Sequence, residues 1–146
     1  TRCNLSDESQ IQKIQKILPQ NKKVVRSLMQ VKALRDSSGK IIDLKNGRIG
    51  LISGIANPRS FEKLFSATYP EVKFDILDFK DHQSYGPHEL SQIEKLKKQN
   101  NWDFIVTTEK DEVKLKGKIP SLVIFEIETR MEDEKQWKII LDELVG

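Results

Sequence analysis

The sequence predicts an α/β fold: a three-layer α/β/α lobe with a mainly parallel sheet, preceded by a helix and a two-stranded ribbon. The main observation is that short apolar runs alternate with amphipathic helical patterns from residue 47 onward, which is typical of parallel strands covered by helices. The length of 146 residues suits one core of this kind. The longest nearly apolar stretch, residues 49–56, is far shorter than the roughly 18 residues that a membrane span requires.

Composition and charge exclude several classes of protein. The net charge is only +3, from 25 basic and 22 acidic residues, so nucleic acid is not required as a partner, although an anionic ligand is permitted. Cys3 is the only cysteine, which excludes an internal disulfide and a cysteine-only zinc site. The chain begins at Thr1 without a basic region and an apolar run, so we expect no secretory signal and a chain cut from a longer one.

The segment before residue 47 predicts a helix and a ribbon. Ser6 and Asp7 are suitable N-caps for an amphipathic helix that stops at Pro19. Two mixed apolar runs, at 23–34 and 41–44, flank a cluster of turn residues and predict a two-stranded ribbon. The predicted organisation is therefore 1–22 for the helical segment, 23–46 for the ribbon and 47–146 for the α/β/α lobe.

Within the lobe, the predicted strands are 48–55, 72–76, 104–106 and 122–127. A short helical turn carrying Val113 and Leu115 precedes the last of them. The other helices carry apolar stripes that should face the sheet: Phe61, Leu64, Phe65 and Thr68; Leu90, Ile93 and Leu96; and Trp137, Ile140, Leu141 and Leu144.

The loops after three of these strands are candidate sites, because ligands of open α/β sheets bind beyond the carboxyl ends of the strands. In the first loop, residues 53–58, Gly54 allows close backbone approach. The helix that begins after Asn57, at Pro58, offers free N–H groups to an anion. The alternative is a tight turn from strand to helix without a ligand.

The second loop, residues 78–85, contains a candidate general base. His82 can accept a proton near neutral pH, and a carboxylate beside it, such as that of Asp81, would fix its tautomer. Adjacent residues seldom orient each other well, so the alternative is a histidine that only caps or solvates the loop. His88 lies in the first turn of a predicted helix and is interpreted as a surface residue.

The third loop, residues 107–111, has two interpretations that the sequence leaves open. Thr108 can cap the short helix with Asp111 as its reciprocal partner, in a variant of the capping box. Lys110 can instead hold a phosphate as a point charge. The chain contains no Walker-type glycine-rich loop, so we do not expect this piece alone to cradle nucleotide phosphates.

In this order, the three loops resemble the carboxy-terminal lobe of tetraacyldisaccharide 4'-kinase, the lipid A kinase of Gram-negative bacteria. The resemblance covers about residues 21–145, and the opening helix resembles the tail of the family's nucleotide-binding lobe. The matching stretches are Ser-Gly-Ile-Ala-Asn-Pro at 53–58 followed by Phe61, Phe-Lys-Asp-His-Gln at 79–83 with Tyr85, and Val-Thr-Thr-Glu-Lys-Asp at 106–111 followed by Val-Lys-Leu at 113–115.

This resemblance implies transfer of the γ-phosphate of ATP to the 4'-hydroxyl of tetraacyldisaccharide 1-phosphate, a step of lipid A and lipopolysaccharide biosynthesis. ATP and Mg²⁺ are expected to bind mainly to the amino-terminal lobe of the same protein, which is absent from this sequence. The implied partners are that lobe, the lipid A disaccharide precursor and, for the intact protein, the cytoplasmic face of the bacterial inner membrane. Nucleic acid is not an expected partner, and this chain alone is expected to be soluble and inactive.

The resemblance also implies roles for individual residues. The family loop usually reads Asp-His-His, and its first histidine is thought to pair with an aspartate of the other lobe and to activate the acceptor hydroxyl. By this match His82 is the catalytic candidate and Asp81 its supporting neighbour, whereas Gln83 replaces the second histidine. No metal ligand is expected in this chain. The candidates for the substrate or phosphate loops are Gly54, Asn57, Tyr85, Thr108, Lys110 and Asp111.

The alternative function is a stand-alone anion- or nucleic-acid-binding α/β module without catalysis. Interleaved glutamates and the lack of exposed aromatic runs argue against RNA recognition. The basic residues that would serve such a module are Lys95, Lys97, Lys98, Lys110, Lys114, Lys116 and Lys118.

Overall fold

A computed structural model describes residues 8–19, 24–44 and 47–145 of the chain. It contains five helices and five strands in these described parts. In chain order they are α1 (Glu8–Ile17), β1 (Ser27–Asp36), β2 (Ile49–Ser53), α2 (Pro58–Thr68), β3 (Phe74–Asp78), α3 (Pro87–Asn100), β4 (Phe104–Thr108), α4 (Glu109–Leu115), β5 (Leu122–Met131) and α5 (Glu134–Val145).

The strands form one sheet in the order β1-β5-β4-β2-β3. The β2–β3, β2–β4 and β4–β5 pairs are all parallel, which confirms the predicted mainly parallel sheet. In the registers of these pairs, Leu51 lies opposite Ile76 and Val106, and Val106 lies opposite Val123. The carboxyl ends of β2, β3 and β4 therefore meet at one edge of the sheet.

Helices cover both faces of the sheet because alternate residues of each strand point to opposite sides. On one face, Ile52, Ile105 and Ile124 pack in a buried cluster with Ile93 of α3. On the other face, Phe61 and Phe65 of α2 contact Phe125 at centroid distances of 5.4 and 5.6 Å. These two layers confirm the three-layer architecture.

Trp102 fixes the packing at the amino end of β4. A Cβ at Gly50 would lie 2.3 Å from Cε3 of Trp102, so only glycine leaves room for the indole on the sheet. The indole Nε1 donates a hydrogen bond to Oδ2 of Asp75 at 2.6 Å. The buried ring therefore keeps a partner for its polar atom, as buried indoles usually do.

The structure has part of the pairing that the predicted ribbon requires and adds a second partner for its first arm. Its first arm is strand β1, which joins the sheet as an edge strand beside β5. Between its two arms the structure has an isolated antiparallel bridge from Arg35 to Ile41. Oδ1 of Asp36 accepts hydrogen bonds from the backbone N–H groups of Ser38 and Lys40, which closes the turn between the arms.

The chain divides into two compact units. One comprises the described residues of Thr1–Gln30 and Ile127–Gly146, and the other comprises those of Val31–Glu126. The predicted boundaries near residues 22 and 46 fall in segments outside the described residues and stay predictions. The predicted caps Ser6 and Asp7 also lie outside the described residues.

The predicted core positions differ in burial. Phe61, Leu64, Phe65, Ile93 and Leu115 are buried, whereas Thr68 of α2 is exposed and its hydroxyl donates to the carbonyl of Leu64. Val113 of α4 is 84% exposed, whereas Leu115 of the same helix is fully buried. Ile76 is 45% exposed because β3 is an edge strand. Leu141 of α5 is 39% exposed, although it was expected to share the buried stripe of that helix. No helix in the described parts of the chain combines the length and apolarity that crossing a bilayer requires.

Candidate functional site

Side chains and backbone groups hold the ends of neighbouring strands together at the carboxyl edge of the sheet. The hydroxyl of Ser53, at the end of β2, donates to Oδ1 of Asp78, at the end of β3, at 3.0 Å. The backbone N–H of Phe79 donates to the carbonyl of Ser53 at 2.8 Å. In β4, the hydroxyl of Thr107 donates to the carbonyl of Ile52 at 2.9 Å. The three predicted loops therefore start from a common edge.

Gly54 connects the first loop to the other two. Its backbone N–H donates to Oδ2 of Asp111 at 3.0 Å, and its carbonyl accepts from the backbone N–H of His82 at 3.1 Å. A Cβ at this position would lie 2.8 Å from the hydroxyl oxygen of Tyr85 and 3.2 Å from Oδ1 of Asp111. The close approach predicted at Gly54 is thus made by groups of the protein itself.

Asn57 acts as the N-cap of α2. Its Oδ1 accepts a hydrogen bond from the backbone N–H of Ser60 at 3.3 Å, and Pro58 is the first residue of the helix. This is the arrangement that the tight-turn interpretation predicts. The structure does not bring the side chain of Asn57 into contact with the candidate residues of the other two loops.

The second loop presents an exposed imidazole from an unusual backbone conformation. His82 has a φ of 61°, in the left-handed region that few non-glycine residues adopt. Its side chain is 75% exposed, and its Nε2 lies 3.6 Å from Oδ2 of Asp81. Its backbone N–H also donates to Oδ1 of Asp81 at 3.0 Å. The adjacent carboxylate therefore does lie beside the ring.

Tyr85 lies inside the lobe, not on its surface. It is only 1% exposed, and its ring packs edge-on against Phe79 at a centroid distance of 5.2 Å. Its hydroxyl has no hydrogen-bond partner among the described residues. Burial, and after it the charge of Asp111, raise the pKa of Tyr85 far above its usual value, so the hydroxyl keeps its proton.

The third loop confirms the predicted cap. The hydroxyl of Thr108 accepts from the backbone N–H of Asp111 at 3.3 Å and donates to Oδ2 of that carboxylate at 3.0 Å. Asp111 is fully buried. Lys110 points outward instead: its side chain is 50% exposed, and its Nζ lies 3.5 Å from Oδ1 of Asp81.

Apart from Asn57, the predicted site residues thus form two sets that differ in exposure. We call Asp81, His82 and Lys110 the exposed group, and Gly54, Tyr85, Thr108 and Asp111 the inner group. The exposed group combines a base, a carboxylate and an ammonium ion, so it can accept a proton and attract an anion. The sequence did not reveal the Ser53–Asp78 contact, although each residue is the first of a predicted loop.

A second concave feature lies away from these loops. A cavity of about 530 Å³ is bounded by residues near the amino ends of β4 and β5, among them Trp102, Ile105 and Ile119. Lys97 lines this cavity and donates to the hydroxyl of Ser121. None of the predicted site residues lines this cavity.

The comparisons with known proteins identify the family. A family model described as tetraacyldisaccharide-1-P 4'-kinase matches residues 3–145. The tetraacyldisaccharide 4'-kinase of Bdellovibrio bacteriovorus is 32% identical over 120 residues, which is 80% of this chain and 35% of that protein. The enzyme of the same name from Syntrophus aciditrophicus is 30% identical over 137 residues, or 88% of this chain and 36% of that protein.

A third tetraacyldisaccharide 4'-kinase, from Halothermothrix orenii, is 33% identical over 86 residues, which cover 59% of this chain and 22% of that protein. The chain therefore spans about a third or less of the curated relatives it matches. No solved structure matches this chain. Because the family match extends over nearly all of its length, the chain belongs to the tetraacyldisaccharide-1-P 4'-kinase family.

Proposed function

We propose that this chain forms the carboxy-terminal lobe of a kinase that transfers the γ-phosphate of ATP to the 4'-hydroxyl of tetraacyldisaccharide 1-phosphate. Family membership and the shared name of the matching relatives support this activity. The chain spans only about a third of those relatives, so the activity belongs to a protein that also has the nucleotide-binding lobe. Such an enzyme works at the cytoplasmic face of the inner membrane, where its lipid substrate lies.

The observation that carries this proposal is the exposed imidazole of His82 beside Asp81, at the carboxyl edge of the sheet. A hydrogen on Nε2 directed at Oδ2 of Asp81, 3.6 Å away, leaves Nδ1 free to accept the proton of the 4'-hydroxyl. The hydroxyl oxygen then attacks the γ-phosphorus as this proton leaves, and the bond from the γ-phosphorus to its bridging oxygen breaks, with ADP as the leaving group. The carboxylate of Asp81 stabilises the imidazolium that forms.

Lys110 supplies positive charge to the same place. Its ion pair with Asp81 is long and exposed, and such pairs contribute little stability, so a phosphate can compete for the ammonium group. We therefore propose that Lys110 attracts a phosphate of the substrate or the transferred phosphoryl group. A charge of this kind stabilises phosphoryl transfer without itself reacting.

ATP and Mg²⁺ also need a binding site in the intact kinase. Within residues 8–19, 24–44 and 47–145, no group of three or more histidine, cysteine, aspartate or glutamate side chains is arranged to hold a metal ion. The whole sequence also lacks a Walker-type loop. We therefore propose that ATP and Mg²⁺ bind to the other lobe, and that this lobe contributes the base and part of the acceptor surface.

The test is transfer of labelled γ-phosphate to tetraacyldisaccharide 1-phosphate by the kinase with both lobes. We expect His82→Ala to lower kcat by about 10²-fold or more, the usual contribution of a general base. His88→Ala is the matched control, because His88 is 88% exposed and lies 3.7 Å from a neighbouring carboxylate outside the site.

The outcomes separate the role of His82 from the function itself. Full activity of His82→Ala would contradict the role of that residue while leaving the kinase function intact. An inactive but folded wild-type kinase would contradict the function. Equal losses in His82→Ala and His88→Ala would show that the assay reports general damage to the lobe.

A further inference from the structure

We infer that Asp111 is a positioning residue that holds His82 through the backbone of Gly54. Two consecutive hydrogen bonds form this relay. Oδ2 of Asp111 accepts from the N–H of Gly54 at 3.0 Å, and the carbonyl of Gly54 accepts from the N–H of His82 at 3.1 Å. The inference deepens the proposed function, since it rests on His82 being the base.

Burial makes the relay depend on its carboxylate. Asp111 is fully buried, and Oδ2 accepts from both the N–H of Gly54 and the hydroxyl of Thr108. Without this acceptor, the buried N–H of Gly54 would lose its partner, and an unsatisfied buried donor is costly. The first loop would then shift, and with it the carbonyl that anchors His82.

The backbone of His82 needs such an anchor because its conformation is unfavourable. Its φ of 61° is strained for a residue with a Cβ, and strained backbone persists only where its surroundings fix it. The two acceptors of its N–H are the carbonyl of Gly54 and Oδ1 of Asp81. The Asp81 carboxylate is more than one-third exposed. The hydrogen bond to the carbonyl of Gly54 is therefore the one that ties the backbone of His82 to the interior of the lobe.

The geometry argues against a direct contact between Asp111 and substrate, the role that the sequence left open. Oδ1 of Asp111 and the hydroxyl of Tyr85 lie 3.2 and 2.8 Å from the point where a Cβ of Gly54 would be. This carboxylate oxygen therefore lies inside the lobe beside a buried phenol. A carboxylate would also repel a phosphate, so Asp111 acts on the reaction through the loops that it joins.

The first experiment measures hydrogen exchange of the His82 and Gly54 amides in this chain. We expect Asp111→Ala to accelerate exchange of both amides about tenfold or more, as expected for loss of a hydrogen bond to a charged group. Leu115→Ala is the matched control, because Leu115 is buried on the same helix and makes no bond to Gly54. We expect Leu115→Ala to destabilise the chain without selectively accelerating hydrogen exchange at the His82 and Gly54 amides.

The conservative variant separates positioning from chemistry. In Asp111→Asn the side-chain amide oxygen can accept the hydrogen bonds from the N–H of Gly54 and the hydroxyl of Thr108. The NH₂ group of the asparagine then faces the hydroxyl of Tyr85. Both hydrogen bonds of the relay are therefore kept without the negative charge. We expect Asp111→Asn to retain normal exchange at His82. In the kinase with both lobes it should keep kcat within about threefold, whereas Asp111→Ala should lower kcat more than KM changes.

Each outcome has one meaning. Unchanged exchange at His82 in Asp111→Ala would overturn the relay. If Asp111→Asn lost activity as severely as Asp111→Ala, the charge of Asp111 would be required and the positioning role would be wrong. Because exchange is measured without substrate, accelerated exchange in a chain whose wild-type kinase proves inactive would uphold the relay and overturn only the proposed function.

Discussion

Gly54 has almost no room for an added atom, because side chains of the other two loops lie close to the position that a Cβ would occupy. An added Cβ would lie 2.8 Å from the hydroxyl oxygen of the buried Tyr85, closer than real Cβ contacts occur. We therefore expect Gly54→Ala to lower the free energy of unfolding by roughly 1–3 kcal/mol, the usual cost of overpacking. Urea denaturation of the two proteins measures this difference.

Gly86→Ala is the matched control for this prediction. A Cβ at Gly86 would meet only Oε2 of Glu89, at 3.2 Å, and this carboxylate is the movable end of a long side chain. We expect a much smaller loss of stability than for Gly54→Ala. A loss at Gly54 no larger than the loss at Gly86 would show that Tyr85 and Asp111 can move aside.

At the residue scale, the sequence revealed local contacts better than distant ones. The capping of α4 was predictable because Thr108 and Asp111 are close in the chain and follow a known pattern. The bond from Gly54 to Asp111 was not predictable, because the two residues meet only after β2 and β4 have paired. For the same reason, the sequence did not reveal that Asp111 and Tyr85, two candidates for the substrate or phosphate loops, are buried.

At the element scale, one arginine holds three elements of the second unit together. Arg35, at the end of β1, makes two hydrogen bonds with Glu112 of α4, at 2.9 and 2.7 Å. Its Nε also donates to Oε1 of Glu126 in β5 at 2.5 Å. All three side chains are less than one-fifth exposed, so these bonds contribute more to the stability of the fold than a surface ion pair does.

This cluster makes stability depend on pH. Hydrogen bonds from Arg35 lower the pKa of Glu112 and of Glu126 below the usual 4.5, so folding favours their charged forms. Their contribution is therefore present above about pH 4.5 and is lost as pH falls through the lowered values. Asp36, whose pKa is lowered by Ser38, adds a slope of the same sign.

We expect Arg35→Gln to lower the free energy of unfolding at pH 7 by roughly 1.5–3 kcal/mol, typical of hydrogen bonds between charged groups. The variant should also lose less stability than wild type between about pH 5.5 and pH 3. Urea denaturation across this range tests both points. Arg130→Gln is the control, since its pair with Glu128 is exposed, and an equal effect there would contradict the role of burial.

The sequence predicted the parallel strands and their helices well, because hydrophobic periodicity is a local property. It did not reveal the second partner of β1, because the mixed apolar pattern and the turn directly after this strand indicate pairing only with the next segment. The structure places β5 beside β1, about ninety residues farther along the chain. Nothing in either segment alone specifies that partner, because edge-strand pairing depends on the rest of the sheet.

At the scale of the whole molecule, the proposed function divides phosphoryl transfer between two lobes. The proposed base and positive charge lie in this chain, whose sequence has no Walker-type loop. We therefore expect this chain alone to show no ATP turnover, whereas mixing it with the nucleotide-binding lobe or joining the two should restore transfer. Robust transfer by the chain alone would contradict the proposed division of labour between lobes.

The order of strands in the sheet also has a consequence for biosynthesis. β1 is the first of the described strands in chain order, yet its neighbour in the sheet, β5, ends only at Met131. Until then its edge has no strand to pair with, and such unpaired edges are prone to join other chains. During translation the nascent protein must therefore keep β1 soluble until the residues of β5 have been made.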